Sequence, residues 1–175
     1  MGVGLAASAA PALAFSAALA DTPARRVAFH NLHTGESLNA VYWEQGRYVP
    51  GALSEVNHVL RDYRSGDVHP IDPRLLDLLD TLSAQVETRG PFHVISGYRS
   101  PRTNAMLHAR SHGVAIKSLH MKGLAIDIRL PDVDLAHLHR AALGLRGGGV
   151  GYYPGEDFVH VDVGPVRQWG GARET

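Results

Sequence analysis

Two short runs of alternating residues constrain this chain more than any other feature. Successive side chains of a strand point to opposite faces. In Leu124-Ala-Ile-Asp-Ile-Arg-Leu130, Leu124, Ile126, Ile128 and Leu130 therefore share one face, and Asp127 lies on the other with Ala125 and Arg129. In the run ending at Val163, Val159, Val161 and Val163 share a face, while Phe158, His160 and Asp162 take the opposite one. Each strand thus offers an aliphatic face to a core and a second face bearing one of the would-be ligands, Asp127 or His160. Pairing the two strands sets Asp127 beside His160. His120 precedes the first strand, and the Met121-Lys122-Gly123 turn can fold it back over the same face.

The chain around these runs has 175 residues, enough for one domain with a sizeable core and too few for two comfortable ones. Arg26 to Leu32 and Ser37 to Trp43 are β-prone runs flanking His33-Thr34-Gly35-Glu36, which predicts a hairpin. From Leu53 to Tyr63, the residues Leu53, Val56, Val59, Leu60 and Tyr63 share one helical face. A second helix has Asp72 as cap, Pro73 in the first turn, a stripe of Leu75, Leu76, Leu79, Leu82 and Val86, and Gly90 as stop. Phe92 to Tyr98 reads as a strand leading into Arg99. Ser100-Pro101 opens a short helix that Gly113 ends. A helix from about Asp134 to Leu145 follows the Leu124–Leu130 strand, then glycines 147 to 149 and a final pair of strands around Val150–Tyr153 and Phe158–Val163. Helices and strands alternate without a regular βαβ rhythm, which predicts an α+β fold with a mainly antiparallel sheet.

Residues 1–20 form an Ala-rich, uncharged run ending Ala18-Leu19-Ala20, a small-x-small pattern of the kind export peptidases cut. No Lys or Arg precedes Arg25, so the expectation is an export signal whose basic start lies upstream of Met1, followed by one domain over 21–175. The run is too short and Ala-rich for a good membrane span, so stable membrane insertion is not expected. Lys and Arg total 17 and Asp and Glu total 17, and this balance argues against nucleic acid as a partner, since phosphate binding needs a clustered basic excess.

Two imidazoles and one carboxylate, His120, Asp127 and His160, make a zinc site with one position left for water, as hydrolytic sites require. A closed thiolate site is impossible in a chain without cysteine. Hydrolysis also needs a general base. Asp157, three residues before His160 in the loop entering its strand, is best placed, with Glu156 as substitute. Arg99, just past a strand end, can stabilise an oxyanion or hold a substrate carboxylate, and Ser118 can hydrogen-bond substrate at the rim.

These residues resemble a known group. Ser96-Gly97-Tyr98-Arg99-Ser100, Thr103-Asn104, Ser118-Leu119-His120-Met121-Lys122-Gly123-Leu124-Ala125-Ile126-Asp127 and Phe158-Val159-His160-Val161-Asp162-Val163-Gly164 look like the zinc peptidases related to D-Ala-D-Ala carboxypeptidases and the hedgehog signalling domain. Within that group the likeness is closest to exported murein endopeptidases of the MepK type, over roughly residues 25 to 170. The resemblance implies a hedgehog/DD-peptidase-like fold with helices packed on one side of the sheet. It implies one zinc ion at His120, Asp127 and His160, an acidic base at Asp157 and Arg99 near the substrate. Its substrate would be the stem peptides of peptidoglycan, cut at their cross-links in the periplasm or cell envelope, with a lean toward the L,D type. The chain departs from the pattern at Asp157, where many relatives carry Glu.

Other features point elsewhere. His108 and His112 are four apart on a helix, but Ala109 follows His108 and no His-Glu-x-x-His forms, so a solvated helix face is expected. Gly147 to Gly151 lacks the Lys-Ser/Thr of a phosphate loop and reads as a turn. Cysteine-dependent peptidases and transpeptidases are excluded, because their nucleophile is absent. Two rival functions stay open at this level. One is a binding module that keeps the zinc fold without turnover; the other is a serine hydrolase built on Ser118.

Overall fold

The computed structural model describes residues 23–110 and 114–171. The export-signal expectation over 1–20, His112 and the helix stop at Gly113 lie outside the described residues. The strands are β1 (Arg25–Asn31), β2 (Ser37–Glu44), β3 (Arg47–Tyr48), β4 (Phe92–Ser96), β5 (Ala125–Arg129), β6 (Gly149–Tyr153), β7 (Phe158–Asp162) and β8 (Arg167–Gly170). The helices are α1 (Pro50–Val59), α2 (Pro73–Gln85), α3 (Pro101–Arg110) and α4 (Leu135–Leu145), with a 3-10 turn over Leu119–Lys122.

The α+β class holds, but the sheet is mixed rather than mainly antiparallel. Its order is β3-β2-β1-β4-β5-β7-β6-β8. β4 runs parallel to β1, and β8 runs parallel to β6, both inside one sheet with antiparallel neighbours. Each parallel pair follows from connectivity. The chain leaves β3, forms α1 and α2, and returns beside β1 in the same sense, the long crossover that a parallel neighbour demands. β8 is reached from β7 by crossing over β6 instead of folding straight back. Neither two-residue β3 nor four-residue β8 is long enough to announce itself by alternation.

One face of the sheet is the core. Val27, Phe29, Ala40, Tyr42, Phe92, Val94, Ile126, Ile128, Val159 and Val161 are all buried there, against Val56 of α1, Leu75, Leu76, Leu79 and Leu82 of α2, and Leu138 and Ala142 of α4. α2 starts where its cap dictates: the Asp72 carboxylate accepts the Arg74 backbone N–H, and Pro73 occupies the first turn, where no amide hydrogen is needed. The first helix begins at Pro50 and ends at Val59, earlier at both ends than the Leu53–Tyr63 periodicity suggests. Proline suits a first helical turn. Beyond Leu60, the buried Asp62 instead draws the chain into a turn by accepting the Arg64 amide at 3.0 Å.

The opposite sheet face carries chemistry. β5 and β7 pair with Ile126 opposite Val161 and Ile128 opposite Val159, which aligns Asp127 with His160. The same row continues to Gly151 on β6 and Trp169 on β8, and on the other side to Ser96 on β4.

Candidate metal centre

Three elements bring the ligand-type side chains together. Asp127 and His160 are cross-strand neighbours. His120 arrives on the 3-10 turn, which the Ser118 hydroxyl caps by accepting the His120 N–H and which Gly123 ends in a left-handed conformation. The Asp127 Oδ1 lies 2.8 Å from His160 Nδ1 and 3.2 Å from His120 Nε2, and the two nitrogens are 3.1 Å apart. Tetrahedral coordination with bonds of about 2.0–2.1 Å separates donor atoms by roughly 3.3 Å, close to these spacings. All three residues are buried.

Their outer atoms decide what the inner ones are. His120 Nδ1 is 2.7 Å from the Gly97 carbonyl, a pure acceptor, so that nitrogen carries the hydrogen and Nε2 presents a lone pair inward. His160 Nε2 sits 3.0 Å from the Asp162 carboxylate, which likewise places its hydrogen outward and leaves Nδ1 as an acceptor. Two inward lone pairs and a carboxylate oxygen crowd one point with no hydrogen to share. Only a cation, a metal ion or an added proton, reconciles them. The group can therefore hold a metal.

Electrostatics agree. Burial pushes the Asp127 carboxyl upward, but His120 and His160 outweigh it and hold it well below the usual carboxylate range. Burial pushes His120 down, favouring the neutral ligand form despite Asp127. Burial also opposes charge on His160, yet its bonds to Asp127 and Asp162 raise its pKa, so a proton competes for the same place as the metal.

The centre lies on a cleft of about 680 Å³. One wall is aromatic: Tyr153 stacks on Phe158 at 4.5 Å, and Trp169 donates its indole N–H to the Tyr153 hydroxyl at 2.7 Å. Another part of the lining is the segment from Val114 to Leu119. The buried Asn104 of α3 ties it down by donating to the carbonyls of Ala115 and Ile116 at 3.0 and 3.2 Å.

The remaining expected site residues have definite places. Arg99 lines the cleft and is buried, with one nitrogen 3.2 Å from the Ser96 hydroxyl and 3.4 Å from Asp127 Oδ2. Ser118 also lines the cleft. Its hydroxyl takes the His120 amide, while the ring nitrogens of His120 face Gly97 on one side and Asp127 and His160 on the other. No ring nitrogen of His120 is left to activate Ser118, so the Ser118–His120 pair that a serine hydrolase would need does not form. Asp157 is not brought to the ligand cluster. Its exposed carboxylate pairs with Arg129, while Glu156 lines the cleft. His108 binds the Val114 carbonyl at 2.6 Å and serves the wall.

A family described as peptidoglycan L,D-endopeptidase MepK matches residues 19–169. The chain belongs to the MepK family of peptidases. The member named peptidoglycan L,D-endopeptidase MepK from Escherichia coli strain K12 is 47% identical over 169 residues, covering 96% of this chain and 92% of that one. A Haemophilus influenzae protein named as a probable peptidoglycan L,D-endopeptidase MepK is 42% identical over 156 residues, 88% of this chain and 84% of its own. Against these MepK relatives the chain runs nearly end to end.

Gly97 and Asp62, which support the cluster, carry no signal of that role in the sequence. Gly97 takes His120 through its carbonyl, and a Cβ there would stand 2.4 Å from the Leu60 carbonyl oxygen, so this loop docks directly on the chain after α1. Asp62 fastens the same loop by accepting the Ser100 N–H at 2.9 Å. Burial raises the Asp62 pKa, but bonds from the Thr103 and Ser100 hydroxyls and from the Ser100 and Arg64 amides overcome it and bring it to about 2. A depressed carboxylate stabilises the fold above its unfolded pKa, and that contribution is lost as pH falls toward the folded value. Asp62→Asn is therefore expected to cost about 2 kcal/mol near neutral pH, with the gap to the parent closing between about pH 4 and pH 2. Urea titrations across that range measure it; a gap independent of pH refutes the assignment.

Proposed function

We propose that this chain is a zinc-dependent murein endopeptidase that hydrolyses peptide cross-links of bacterial peptidoglycan outside the cytoplasm, with the L,D type as preferred bond. The observation carrying this reading is the trio of inward-facing acceptors at His120, Asp127 and His160 on an open cleft. The names of the relatives support the substrate class. No described helix is long and apolar enough to cross a membrane, so anchoring by such a helix is not part of the proposal.

Bound zinc would supply Lewis acidity toward the scissile carbonyl and make a water available as hydroxide near neutral pH. The protein's own groups do the rest. Arg99 steadies Asp127 through Oδ2 and lines the cleft, which suits its guanidinium to a substrate carboxylate or carbonyl there. Ser118 and the wall behind it border the peptide. Asp157 is proposed as general base, moving a proton from water to the leaving amine. That role requires its carboxylate to exchange Arg129 for the cleft when substrate enters.

The base is separable by mutation. Asp157→Asn is expected to lower kcat by about 10²–10⁴-fold with zinc content unchanged, the usual contribution of a positioned acid–base group. Single-turnover rates on purified cross-linked muropeptides read it. Near-parental rates in Asp157→Asn with loss in Glu156→Gln would transfer the role to the cleft-lining acid. The proposal as a whole is tested by mass spectrometry of muropeptides from purified sacculi digested with and without chelator. Cross-linked dimers should fall to monomers, chelator should stop this, and zinc should restore it. Zinc binding with no product from any sacculus would instead favour a binding module of the same fold.

A further inference from the structure

Asp162 is fully buried and stands two residues after His160 on the same strand face. Five N–H groups converge on its two oxygens. Oδ1 accepts from the Gly149 amide at 3.0 Å, the Gly164 amide at 2.8 Å and Arg167 Nη1 at 3.1 Å; Oδ2 accepts from Arg167 Nη2 at 2.7 Å and from His160 Nε2 at 3.0 Å. Such a set is satisfied only by an ionised carboxylate, and the guanidinium grips it with two parallel bonds. The amide contact from Gly149 depends on close approach of the backbones: a Cβ on neighbouring Gly148 would lie 1.8 Å from the Asp162 carbonyl oxygen.

The same strand that supplies Arg167 supplies Trp169. The Trp169 ring lies 5.0 Å from the His160 ring, across Gly151, where a Cβ would meet the indole at 2.8 Å. The Arg167 guanidinium lies 4.9 Å from the Trp169 ring centroid. β8 therefore reaches His160 twice, indirectly through the Arg167 grip on Asp162 of β7 and directly through the Trp169 ring beside it.

We propose that Asp162 is the positioning residue for His160, and that Arg167 clamps Asp162 so that β8 sets how tightly the centre holds its metal. This rests on the metal-site reading above and extends it to residues that touch neither metal nor substrate. Asp162 fixes the tautomer and plane of the ring, so Nδ1 meets the cation without rotating. Without Arg167, Asp162 loses its only guanidinium or ammonium partner among the described residues, and its hold on the ring slackens.

The test uses the full chain and zinc itself, with affinity measured by competition against a chromophoric chelator. Asp162→Asn is expected to weaken zinc about 10–100-fold, the usual effect of removing such an outer partner. Arg167→Gln is expected to weaken it several-fold, with Arg167→Lys recovering part of the loss. In the ¹⁵N-edited spectrum of the zinc-loaded protein, the slowly exchanging His160 Nε2 proton should be lost in Asp162→Asn and exchange faster in Arg167→Gln. Arg25→Gln, which breaks the distant Arg25–Asp77 pair, controls for general loosening and should leave zinc affinity unchanged. Should Asp162→Asn not fold, Arg167→Gln on the half-exposed side chain decides alone. Parental affinity and proton exchange in Arg167→Gln overturn the clamp. A parent chain that binds no zinc overturns the metal-site reading instead, so the two failures are distinct.

Discussion

Asp127→Asn is expected to leave a chain of nearly native shape that retains no zinc through purification and releases no measurable product. Its carboxylate is the only anion among the three donors, and its Oδ1 is what both imidazoles share, at 2.8 and 3.2 Å. An amide of the same size keeps the volume but removes the charge. The Arg99 guanidinium, 3.4 Å from Oδ2, then stands beside the centre unopposed and adds repulsion to the lost bond. Removing one partner of a buried ion pair destabilises by about 3–5 kcal/mol, so a lower melting temperature accompanies the loss. A metal centre supplies several kcal/mol of transition-state stabilisation, and at 1.36 kcal/mol per decade its loss lowers the rate by about 10³–10⁴-fold. Metal analysis of the purified protein, together with muropeptide release, checks both parts. A variant that keeps zinc and rate would show that two imidazoles suffice, and the carboxylate would then be structural. Loss of rate with full zinc content would instead place Asp127 in the chemistry rather than in metal retention.

Much of this centre was legible because strand parity is a local property. Alternation alone put Asp127 and His160 off the aliphatic faces of their strands, and the structure aligns them as direct neighbours. The helix over Pro73–Gln85 was equally readable, since its cap, proline and leucine stripe lie within one short window. What could not be read depends on contacts made far along the chain. Nothing in Arg167-Gln-Trp-Gly170 announces a strand parallel to β6, because four residues carry no decisive period and the pairing is set by the crossover. The position of Arg99 after a strand end points to a substrate contact, and it does line the cleft, but its nearest anion is Asp127, a partner 28 positions away. The Asp157 pairing with Arg129 is of the same kind: it arises only once β5 and β7 are side by side. Asp162 was the one support within reach of parity, since it shares the His160 face two residues on.

Gly123→Ala is expected to destabilise the fold by about 2–4 kcal/mol and to loosen His120 with it. Gly123 ends the turn that carries His120, with φ 66° and ψ 22°, a left-handed conformation that costs a residue with a side chain roughly 1 kcal/mol. Its surroundings add a second cost. A Cβ here would sit 2.1 Å from the Pro70 carbonyl oxygen, a backbone atom unable to swing aside as a side chain would. Relieving that overlap means parting the turn from the segment before α2, and overpacking of this kind costs about 1–3 kcal/mol. The two segments are also bonded, the Asp72 amide donating to the Gly123 carbonyl at 2.9 Å, so a shift there strains the start of α2 as well. For a domain near 150 residues, each kcal/mol moves the melting temperature by about 2–4 °C, which gives a fall of roughly 5–15 °C. Gly35→Ala supplies the comparison. Gly35 has a similar φ of 73° with nothing within 4 Å of its would-be Cβ, so it carries the conformational cost without the overlap. Its melting temperature should fall by only a few degrees, and its zinc affinity should match the parent. Equal melting temperatures for the two variants would mean that the Pro70 segment yields freely, and that the turn positions His120 without support from the chain ahead of α2.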